Sequence, residues 1–439
     1  MVLGRASAQI LLAVFLVSGG AAIAQEEAPP SLEFSFSNPG ARSMGFGGAF
    51  VALADDATAA FANPAGLIQL TEPEVSIEGR AWAYSTPFVE GGRIFGPATG
   101  LGLDTESGLL VGTSSQDISG LSFLSFVYPA RNWSVAFYRH QLANYEFYSE
   151  MNSLFSGPWP GFPDSRARSW DLRKVTELDL TSYGVSAAYR VGDSLSLGLG
   201  VSHFRGEMLA LSEIYGPQDP DAPIDFWRFQ TFFSPDFLVE SSRVYGRDAD
   251  FAFLGGILWR VSERWKVGAV YRQGPEMGGA TELRAGPQNR DEVPAGTIIA
   301  LQPGKIRFPG VLGVGASFRS RAQRLTLGFE WDRVGYSSIL KDSPEFYISE
   351  ANELRMGAEY VFARSTPVVA ARLGLWFDPD HSIRYLGQDS VAQAVLQPGS
   401  DEIHLAMGLG IVFKRVQLDV GIDLSDLVDT VSFSTIYTF

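Results

Sequence analysis

The 439-residue sequence contains no cysteine, which excludes disulfide frameworks, thiolate zinc sites and thiol nucleophiles. Basic residues are also few: 34 Lys and Arg are set against 49 Asp and Glu, for a formal net charge of −15. A nucleic-acid partner is therefore not expected, because binding phosphates needs a basic surface. No stretch reaches the roughly 20 apolar residues that a transmembrane helix needs, and the one apolar run near the N-terminus is shorter than that. The sequence is instead rich in glycine (47) and phenylalanine (31), which favours alternating strands over buried helices.

The one apolar run lies in a segment typical of an export signal. Arg5 precedes the apolar residues 10–17, and small residues then end in Ala22-Ile23-Ala24, an A-x-A cleavage pattern. We predict a signal peptide over residues 1–24 that is removed after Ala24, with an uncleaved anchor as the alternative. The mature protein is then exported, and it either remains in solution or crosses a membrane as strands.

Apolar residues alternate with small or polar residues over long stretches of the mature chain. Between residues 402 and 413, for example, every odd position is apolar. This period of two gives a sheet one apolar face. Strands of soluble sandwiches average about five or six residues, whereas these segments approach the 9–11 residues, roughly, that cross a bilayer when tilted. We predict fourteen strands, at residues 74–86, 120–130, 132–147, 176–190, 194–209, 247–261, 264–285, 296–319, 322–337, 350–362, 367–378, 402–413, 415–424 and 431–439.

The connections between these segments alternate between tight turns and long loops, as in outer-membrane barrels. The long connections are 87–119, 148–175, 210–246 and 379–401. Aromatic residues collect at the tight-turn ends, where such barrels carry an interfacial girdle: Tyr128, Trp133, Tyr189, Trp259, Trp265, Phe318, Phe362, Phe413 and Phe439. A closed barrel is also the β architecture that leaves no backbone group unpaired in lipid. We therefore predict an all-β fold in which residues 73–439 form a transmembrane antiparallel β-barrel of about 14 strands.

Residues 25–72, before the first strand, are predicted to be a hatch folded inside the barrel lumen. Barrels of about eight strands fill their interior with side chains and those of about 16 leave a channel, so a fourteen-stranded barrel needs extra chain inside. The segment is dominated by small residues, which suits chain packed against a barrel wall. Asp55 and Asp56 are placed to cap a short helix over 57–62. Asn63-Pro64 ends that helix, because the residue before proline avoids the α region.

Several motifs resemble the FadL-like long-chain fatty acid transporters. The resemblance rests first on Gly45-Phe46-Gly47-Gly48-Ala49, on Asp55-Asp56 and on the motif at 61–67, Phe-Ala-Asn-Pro-Ala-Gly-Leu. It continues downstream at residues 265–274, 308–316, 329–337, 354–360 and 371–378, in the family's order. The resemblance implies that Gly45, Gly47, Gly48, Asp55, Asp56, Asn63, Pro64, Ala65 and Gly66 form or gate the hatch.

The same resemblance implies a function. A hydrophobic ligand, such as a fatty acid, is captured by the outer loops and passes to a lumenal pocket. It then leaves sideways into the membrane through a gap made by a kinked strand. The glycine-rich block and residues 51–56 also resemble the PorV-like branch, whose members serve protein secretion, so a docking or shuttle role is the alternative.

Two long connections are unusually apolar for exposed chain. In 148–175 and 210–246 we assign a ligand-binding groove to Phe155, Trp159, Phe226, Trp227, Phe229 and Phe233. Phe226, Phe229 and Phe233 have helical spacing. The alternative is that the two loops only pack on one another and bury these rings.

Enzyme chemistry is poorly supported, although a membrane-embedded hydrolase is a third possibility. The sequence has no Gly-x-Ser-x-Gly or His-Glu-x-x-His motif, and its four histidines are dispersed. We predict no cofactor, no metal and no catalytic residue. His404 is expected to face the lumen as a polar wall residue. From the alternation alone, Arg139, Arg260 and Arg272 are candidates to pair with a carboxylate head group in the lumen.

We therefore expect an outer-membrane protein of a Gram-negative-type bacterium that passes hydrophobic small molecules passively. No nucleotide or energy-coupling motif is present, so flux follows its gradient. The expected partners are the ligand, the lipids of the outer membrane and, through the C-terminal Phe439, the barrel assembly machinery. The protein is expected to be a monomer.

Overall fold

A computed structural model describes residues 37–157, 167–168, 170–216, 233–289, 293–341, 343–388, 396 and 398–439. The signal peptide predicted over residues 1–24, and the first part of the predicted hatch, lie outside these described residues. No helix in the described ranges is long and apolar enough to span a membrane.

Strands account for most of the described chain. They are β1 (Glu74–Phe95), β2 (Leu109–Pro129), β3 (Trp133–Met151), β4 (Leu154–Ser156), β5 (Ala167–Arg168), β6 (Asp171–Val191), β7 (Leu195–Tyr215), β8 (Leu238–Arg260), β9 (Trp265–Arg272), β10 (Glu276–Ala285), β11 (Ile298–Arg307), β12 (Val311–Arg319), β13 (Leu325–Val334), β14 (Phe346–Ile348), β15 (Ala351–Phe362), β16 (Val368–Asp378), β17 (Ile383–Tyr385), β18 (Glu402–Phe413), β19 (Val416–Leu424) and β20 (Val428–Thr438). The helices are α1 (Ala41–Gly45), α2 (Ala59–Ala62) and three 3₁₀ helices, Pro64–Gln69, Pro235–Phe237 and Tyr336–Ser338.

The strands close into one antiparallel barrel. Each barrel strand pairs with its neighbour in sequence, and β1 pairs with β20 to close the sheet. β9 and β10 together form one barrel strand that is interrupted at residues 273–275, and β11 and β12 form the next, interrupted at 308–310. Without the short β4, β5, β14 and β17, the barrel has fourteen strands, which confirms the predicted fold class.

The two faces of the wall differ as the alternation predicts. Along β18, Ile403 is 68% exposed whereas His404 is 6% exposed, so apolar side chains face lipid and polar side chains face the lumen. His404 therefore lies on the lumenal wall, as predicted. Eight of the nine girdle aromatics are exposed at the tight-turn ends, and Phe318 is half-buried beside Trp265, with ring centroids 5.0 Å apart.

Several strands extend further than the sequence predicts. Residues 87–119 were expected to be a long loop, but β1 continues to Phe95 and β2 begins at Leu109, so the connection spans only 96–108. The β6–β7 hairpin pairs up to Asp171↔Tyr215 in the same way. In these outer extensions polar residues such as Glu90 and Arg93 mix with apolar ones such as Val89 and Ile94, so the regular apolar alternation fades there.

Residues 37–72 lie inside the barrel and are almost entirely buried. Phe46, Phe50, Leu53 and Leu67, each at most 2% exposed, join a core cluster with lumenal side chains of the wall. A 36-residue segment of small residues thus fills the lumen between the strands.

Candidate functional site

Hatch glycines meet wall glycines at points where the two backbones touch. A Cβ on Gly45 would lie 2.6 Å from the Gly408 Cα. Gly47 has a φ of +69°, and a Cβ there would lie 2.6 Å from the Met356 carbonyl oxygen. Gly48 also has a positive φ, +75°. These positions combine a left-handed backbone or a close approach with no room for a side chain, so only glycine fits without strain. On the wall side, hatch atoms lie against Gly198, Gly256, Gly268, Gly328, Gly357, Gly374, Gly408 and Gly421.

Lumenal serines donate hydrogen bonds to buried carbonyl groups of the hatch. The hydroxyls of Ser125, Ser186, Ser196 and Ser317 donate to the carbonyl oxygens of Ala57, Ala60, Ala65 and Ala52, at 2.7–3.1 Å. The sequence offered one signal for these residues, namely small polar side chains on the non-apolar face of the strands. It did not show which of them meets which hatch carbonyl.

A buried ion network joins the hatch to the wall at Arg42. Its guanidinium contacts Asp55 at 2.6 Å, Asp56 at 3.1 Å and Glu359 of β15 at 3.0 Å. Asp55 also accepts a hydrogen bond from Arg319 of β12 at 2.9 Å. The network thus ties two segments of the hatch to two strands of the wall.

The two neighbouring carboxyls of this network are shifted in opposite directions. Burial would raise the pKa of Asp55, but the charges of Arg42, Lys266 and Arg319 hold it well below its ordinary value. The pKa of Asp56 is raised, first by burial and then by the charge of Asp55, although Arg42 partly offsets this. Asp55 therefore favours the closed hatch as a carboxylate, whereas burying Asp56 as a carboxylate carries a cost.

Asp56 does not cap α2 in the way that the sequence suggested. Its carboxylate accepts hydrogen bonds from the Thr58 amide at 3.0 Å and the Thr58 hydroxyl at 2.5 Å, just before the helix begins at Ala59. Asp55 makes no contact with the helix terminus but pairs with Arg42 and Arg319. The capping prediction is thus wrong for Asp55, because its carboxylate pairs with the guanidinium groups of Arg42 and Arg319 instead.

Asn63 fixes the second half of the hatch. α2 ends at Ala62, and Asn63 is extended, with φ −156° and ψ 104°. Its amide nitrogen donates to the Val51 carbonyl at 2.9 Å and to the Ile257 carbonyl of β8 at 3.2 Å, while its side-chain oxygen accepts from the Ala65 amide. Pro64, Ala65 and Gly66 then form the 3₁₀ turn beside the wall. One fully buried side chain thus joins the two halves of the hatch to the barrel.

A cavity lies between the hatch and the wall. The enclosed space is about 20 Å³, roughly room for one water molecule, so a larger ligand enters only when the hatch or the wall moves. Its lining is mostly apolar and includes Phe61 of α2, Phe204 of β7 and Leu254 of β8. Arg272 of β9 is the one charged residue in the described lining.

Arg272 is positioned by the hatch. Its Nη1 donates to the Asn38 side-chain oxygen at 2.7 Å, and its guanidinium carbon lies 5.3 Å from the centre of the Phe61 ring. Asn38 in turn donates to the Gly48 carbonyl and to Glu330 of β13. The conformation of the hatch and the position of the cavity's charge are therefore linked.

Only one of the three basic candidates named from the alternation faces the lumen. Arg272 is 7% exposed and lines the cavity. Arg139 is partly exposed and alternates with the buried Tyr138 and His140, so it points away from the lumen. Arg260 is exposed beside a tight turn, where it donates to the Asp193 carbonyl. The predictions for Arg139 and Arg260 are wrong, because Arg139 occupies an outward-facing position of β3 and Arg260 is the last residue of β8, beside the turn.

A family model described as outer membrane protein transport protein (OMPP1/FadL/TodX) matches residues 20–341. The chain belongs to this family. It is therefore an outer-membrane transport protein for hydrophobic compounds and not an enzyme. No curated protein matches the chain.

Solved structures of FadL/TodX proteins share the fold. A Pseudomonas aeruginosa FadL homologue is 14% identical with a TM-score of 0.64, covering 93% of this chain and 99% of that one. The Pseudomonas putida toluene transporter TodX is 12% identical with a TM-score of 0.57, and the Ralstonia pickettii toluene transporter TbuX is 12% identical with a TM-score of 0.53. Both alignments cover 92% of this chain and 99% of the other. At these identities the likeness concerns the fold alone.

The described loop aromatics of this FadL/TodX protein are packed against charged side chains. Phe155 is 1% exposed, and the guanidinium carbons of Arg93 and Arg168 lie 6.0 and 5.7 Å from its ring centre. Phe233 is half-buried against Tyr215 and Arg173. The burial of Phe155 favours the packing alternative for that residue. Trp159, Phe226, Trp227 and Phe229 lie outside the described residues, so the loop groove stays a prediction.

A kinked strand is present at β3. β2 and β3 pair only over 123–129 and 134–140, although both continue outward. Further out, β3 shifts register around Leu142 and approaches β1, whose Tyr84 hydroxyl donates to the Asn144 carbonyl oxygen at 2.9 Å. Leu142 also lines the cavity. β2 and β3 thus separate beside the cavity.

Proposed function

We propose that this protein takes up long-chain fatty acids or similar hydrophobic carboxylates through the outer membrane. The ligand enters from the outer loops, occupies the cavity beside Phe61 as the hatch moves aside, and leaves through the wall. The observation that carries this proposal is a mostly apolar cavity with one guanidinium, that of Arg272, at its edge.

The guanidinium is what favours a carboxylate over a hydrocarbon. Arg presents five N–H donors in a planar fork that matches a carboxylate. The apolar lining beside it buries an alkyl chain from water once the hatch has moved and widened the cavity. TodX and TbuX are described as toluene transporters, and toluene carries no charge for a guanidinium to bind. A neutral aromatic hydrocarbon is therefore the competing ligand for this chain.

We further propose that residues 25–72 act as the gate. Residues 37–72 fill the lumen, and the Arg42 network, Asn63 and the hatch glycines Gly45, Gly47 and Gly48 support this placement. Because Asn38 holds both Arg272 and the Gly48 carbonyl, a ligand that binds Arg272 competes with a contact that keeps the hatch in place. Ligand binding and hatch movement are thus coupled through one side chain.

The barrel closes by pairing β1 with β20 of the same chain, which supports a monomer as the working unit. Export through cleavage after Ala24, contact with outer-membrane lipids and recognition of Phe439 by the barrel assembly machinery stay proposals.

The PorV-like resemblance suggests a role in secretion as the alternative to uptake. Lipid extraction of the purified protein followed by mass spectrometry distinguishes the two, because uptake predicts a bound hydrophobic carboxylate.

A pair of matched ligands tests the substrate class. Purified protein is titrated with a long-chain fatty acid and with its methyl ester, which lacks the charge. Arg272→Met should weaken binding of the acid by about 10- to 100-fold, the equivalent of one charged hydrogen bond, and leave the ester unchanged. Arg272→Lys, which keeps a positive charge, should retain part of the affinity. Equal binding of acid and ester to the wild-type protein would contradict the carboxylate assignment and favour a neutral hydrocarbon.

A further inference from the structure

Besides the separation of β2 from β3, the backbone pairing of the wall is interrupted at a second place, between β8 and the interrupted strand β9–β10. This place is called the seam below. β8 pairs with β9 as far as Leu254↔Arg272, and pairing resumes with β10 only at Tyr245↔Ala280. Between these points one backbone hydrogen bond crosses, from the Gln273 amide to the Phe253 carbonyl at 2.9 Å. β7 remains paired with β8 throughout, and β11 with β10. The gap is thus confined to this seam.

Two carboxylates of β8 accept hydrogen bonds from β10 amides in place of the missing backbone hydrogen bonds. Asp250 accepts a hydrogen bond from the Glu276 amide at 2.8 Å, and Asp248 accepts one from the Gly278 amide at 2.6 Å. These amides would bond to carbonyl oxygens of β8 in a regular sheet. Side chains can change rotamer without displacing a strand. Hydrogen bonds to these two carboxylates can therefore break while the neighbouring strands stay paired.

Proline and glycine explain why the seam cannot close as a regular ladder. The interruption of β9–β10 is Gln273-Gly274-Pro275, and that of the next strand is Phe308-Pro309-Gly310. Proline has no amide to donate, so it removes a ladder bond in each of two adjacent strands. The two interruptions lie side by side, since the Phe308 amide donates to the Pro275 carbonyl at 2.9 Å.

The cavity reaches the lipid side at this seam. Its lining includes Phe61 of the hatch, which is 5% exposed, and Phe253 of β8, which is 64% exposed. Gln273, Gly274, Pro275 and Pro309 line the space between them. The lining of the cavity thus includes both a lumenal and a lipid-facing side chain at this seam.

We propose that the seam between β8 and β9–β10 is a second lateral exit, through which a hydrophobic carboxylate passes from the cavity into the outer leaflet. It is distinct from the β2–β3 separation, which lies on the other side of the cavity at Leu142. The proposal rests on the uptake function proposed above. Asp248 and Asp250 hold the seam closed, and their release opens it.

A disulfide across the seam tests this exit. Asp250 lies against the Glu276 amide across the seam, at 2.8 Å, and the chain has no cysteine of its own. Asp250→Cys/Glu276→Cys is expressed in Gram-negative cells lacking their own fatty acid transporter, oxidised, and assayed with a radiolabelled long-chain fatty acid. We expect uptake to fall on oxidation and to return with dithiothreitol. The reduced form controls for folding. Asp248→Cys/Gly278→Cys gives a second disulfide across the seam, where Asp248 contacts the Gly278 amide.

The matched control is Leu373→Cys/Met407→Cys, two lipid-facing residues paired in the complete β16–β18 ladder. Its oxidation should leave uptake unchanged. A second measurement removes the carboxylates: Asp248→Ala/Asp250→Ala should increase uptake. Normal uptake by the oxidised seam variant, with its disulfide verified by mass spectrometry, would overturn the second exit while leaving the uptake function standing. Absence of uptake by the wild-type protein would instead overturn the uptake function itself.

Discussion

Single residues decide whether the hatch can lie against the wall. Gly47 has a backbone conformation that side-chain-bearing residues rarely adopt, and it faces the Met356 carbonyl where no Cβ fits. The glycines of the motif at 45–48 could be found from the sequence, because their density marks tight packing. Their partners on the wall, such as Gly357 and Gly374, could not, because barrel register joins residues that are hundreds of positions apart.

Gly47→Val should loosen the hatch and leave the barrel folded. The substitution forces a β-branched residue into the left-handed region, at a cost of about 1–3 kcal/mol. Limited proteolysis of the detergent-solubilised protein should then cleave residues 37–72 faster, while the barrel still migrates as a folded species in unheated gel samples. Gly108→Val is the control, since a Cβ at Gly108 meets open space. Equal protection of the hatch in both variants would contradict the role of Gly47.

The carboxyls of Asp55 and Asp56 should respond in opposite ways to neutralisation. The pKa of Asp55 is lowered in the closed hatch, so its carboxylate stabilises that state above its ordinary pKa, and the contribution disappears as pH falls through the lowered value. The pKa of Asp56 is raised, so its contribution to stability is lost as pH rises through the raised value.

At pH 7, Asp55→Asn should therefore loosen the hatch by roughly 1.5–3 kcal/mol, the equivalent of one hydrogen bond to a charged group. Asp56→Asn should leave it equally tight or tighter, because the amide oxygen can still accept from Thr58. Hydrogen exchange of the hatch amides in the two variants measures both effects. An equal change in hydrogen exchange in both variants would show that the two carboxyls have equivalent roles, which contradicts this account of the network.

At the scale of elements, the sequence was most informative where strands face lipid. Fourteen strands and their tight turns follow from the alternation, because one face must be apolar over the thickness of the bilayer. The outer ends of β1, β2, β6 and β7 could not be placed, since the regular alternation fades there and their apolar residues pack on one another instead. The segments 264–285 and 296–319 were each expected to be one strand. Each contains a proline that interrupts pairing, at Pro275 and Pro309.

The hatch as an element should determine whether the barrel conducts ions. Removing residues 37–70 leaves a fourteen-stranded wall whose lumenal face carries serines and charged side chains, which water can solvate. We expect the shortened protein to give stable conductance in a planar bilayer, whereas the full-length protein should conduct far less. The Gly108→Val protein, purified in the same way, controls for detergent and refolding artefacts. Equal conductance with and without the hatch would show that the segment does not close the lumen.

At the scale of the whole molecule, the barrel, hatch and cavity form one path from the outside to the lipid. The sequence indicated the barrel and the hatch, because both follow from patterns along the chain. It could not indicate the cavity, whose lining comes from α2, β3, β7, β8, β9 and β12 and whose only described charge is on β9. The residues that line such a site are brought together by the pairing of strands that are distant in sequence. No local sequence pattern shows which residues those are.

Uptake of a radiolabelled long-chain fatty acid by Gram-negative cells that lack their own transporter tests the account most directly. Cells expressing the wild-type protein should take up the acid faster than cells carrying the empty vector. Ala252→Trp fills the cavity from a lumenal wall position and should reduce uptake to the vector level, whereas Phe329→Trp, on the lipid-facing surface, should not. Wild-type expression without faster uptake, or full uptake by Ala252→Trp, would contradict passage of a hydrophobic carboxylate through this cavity.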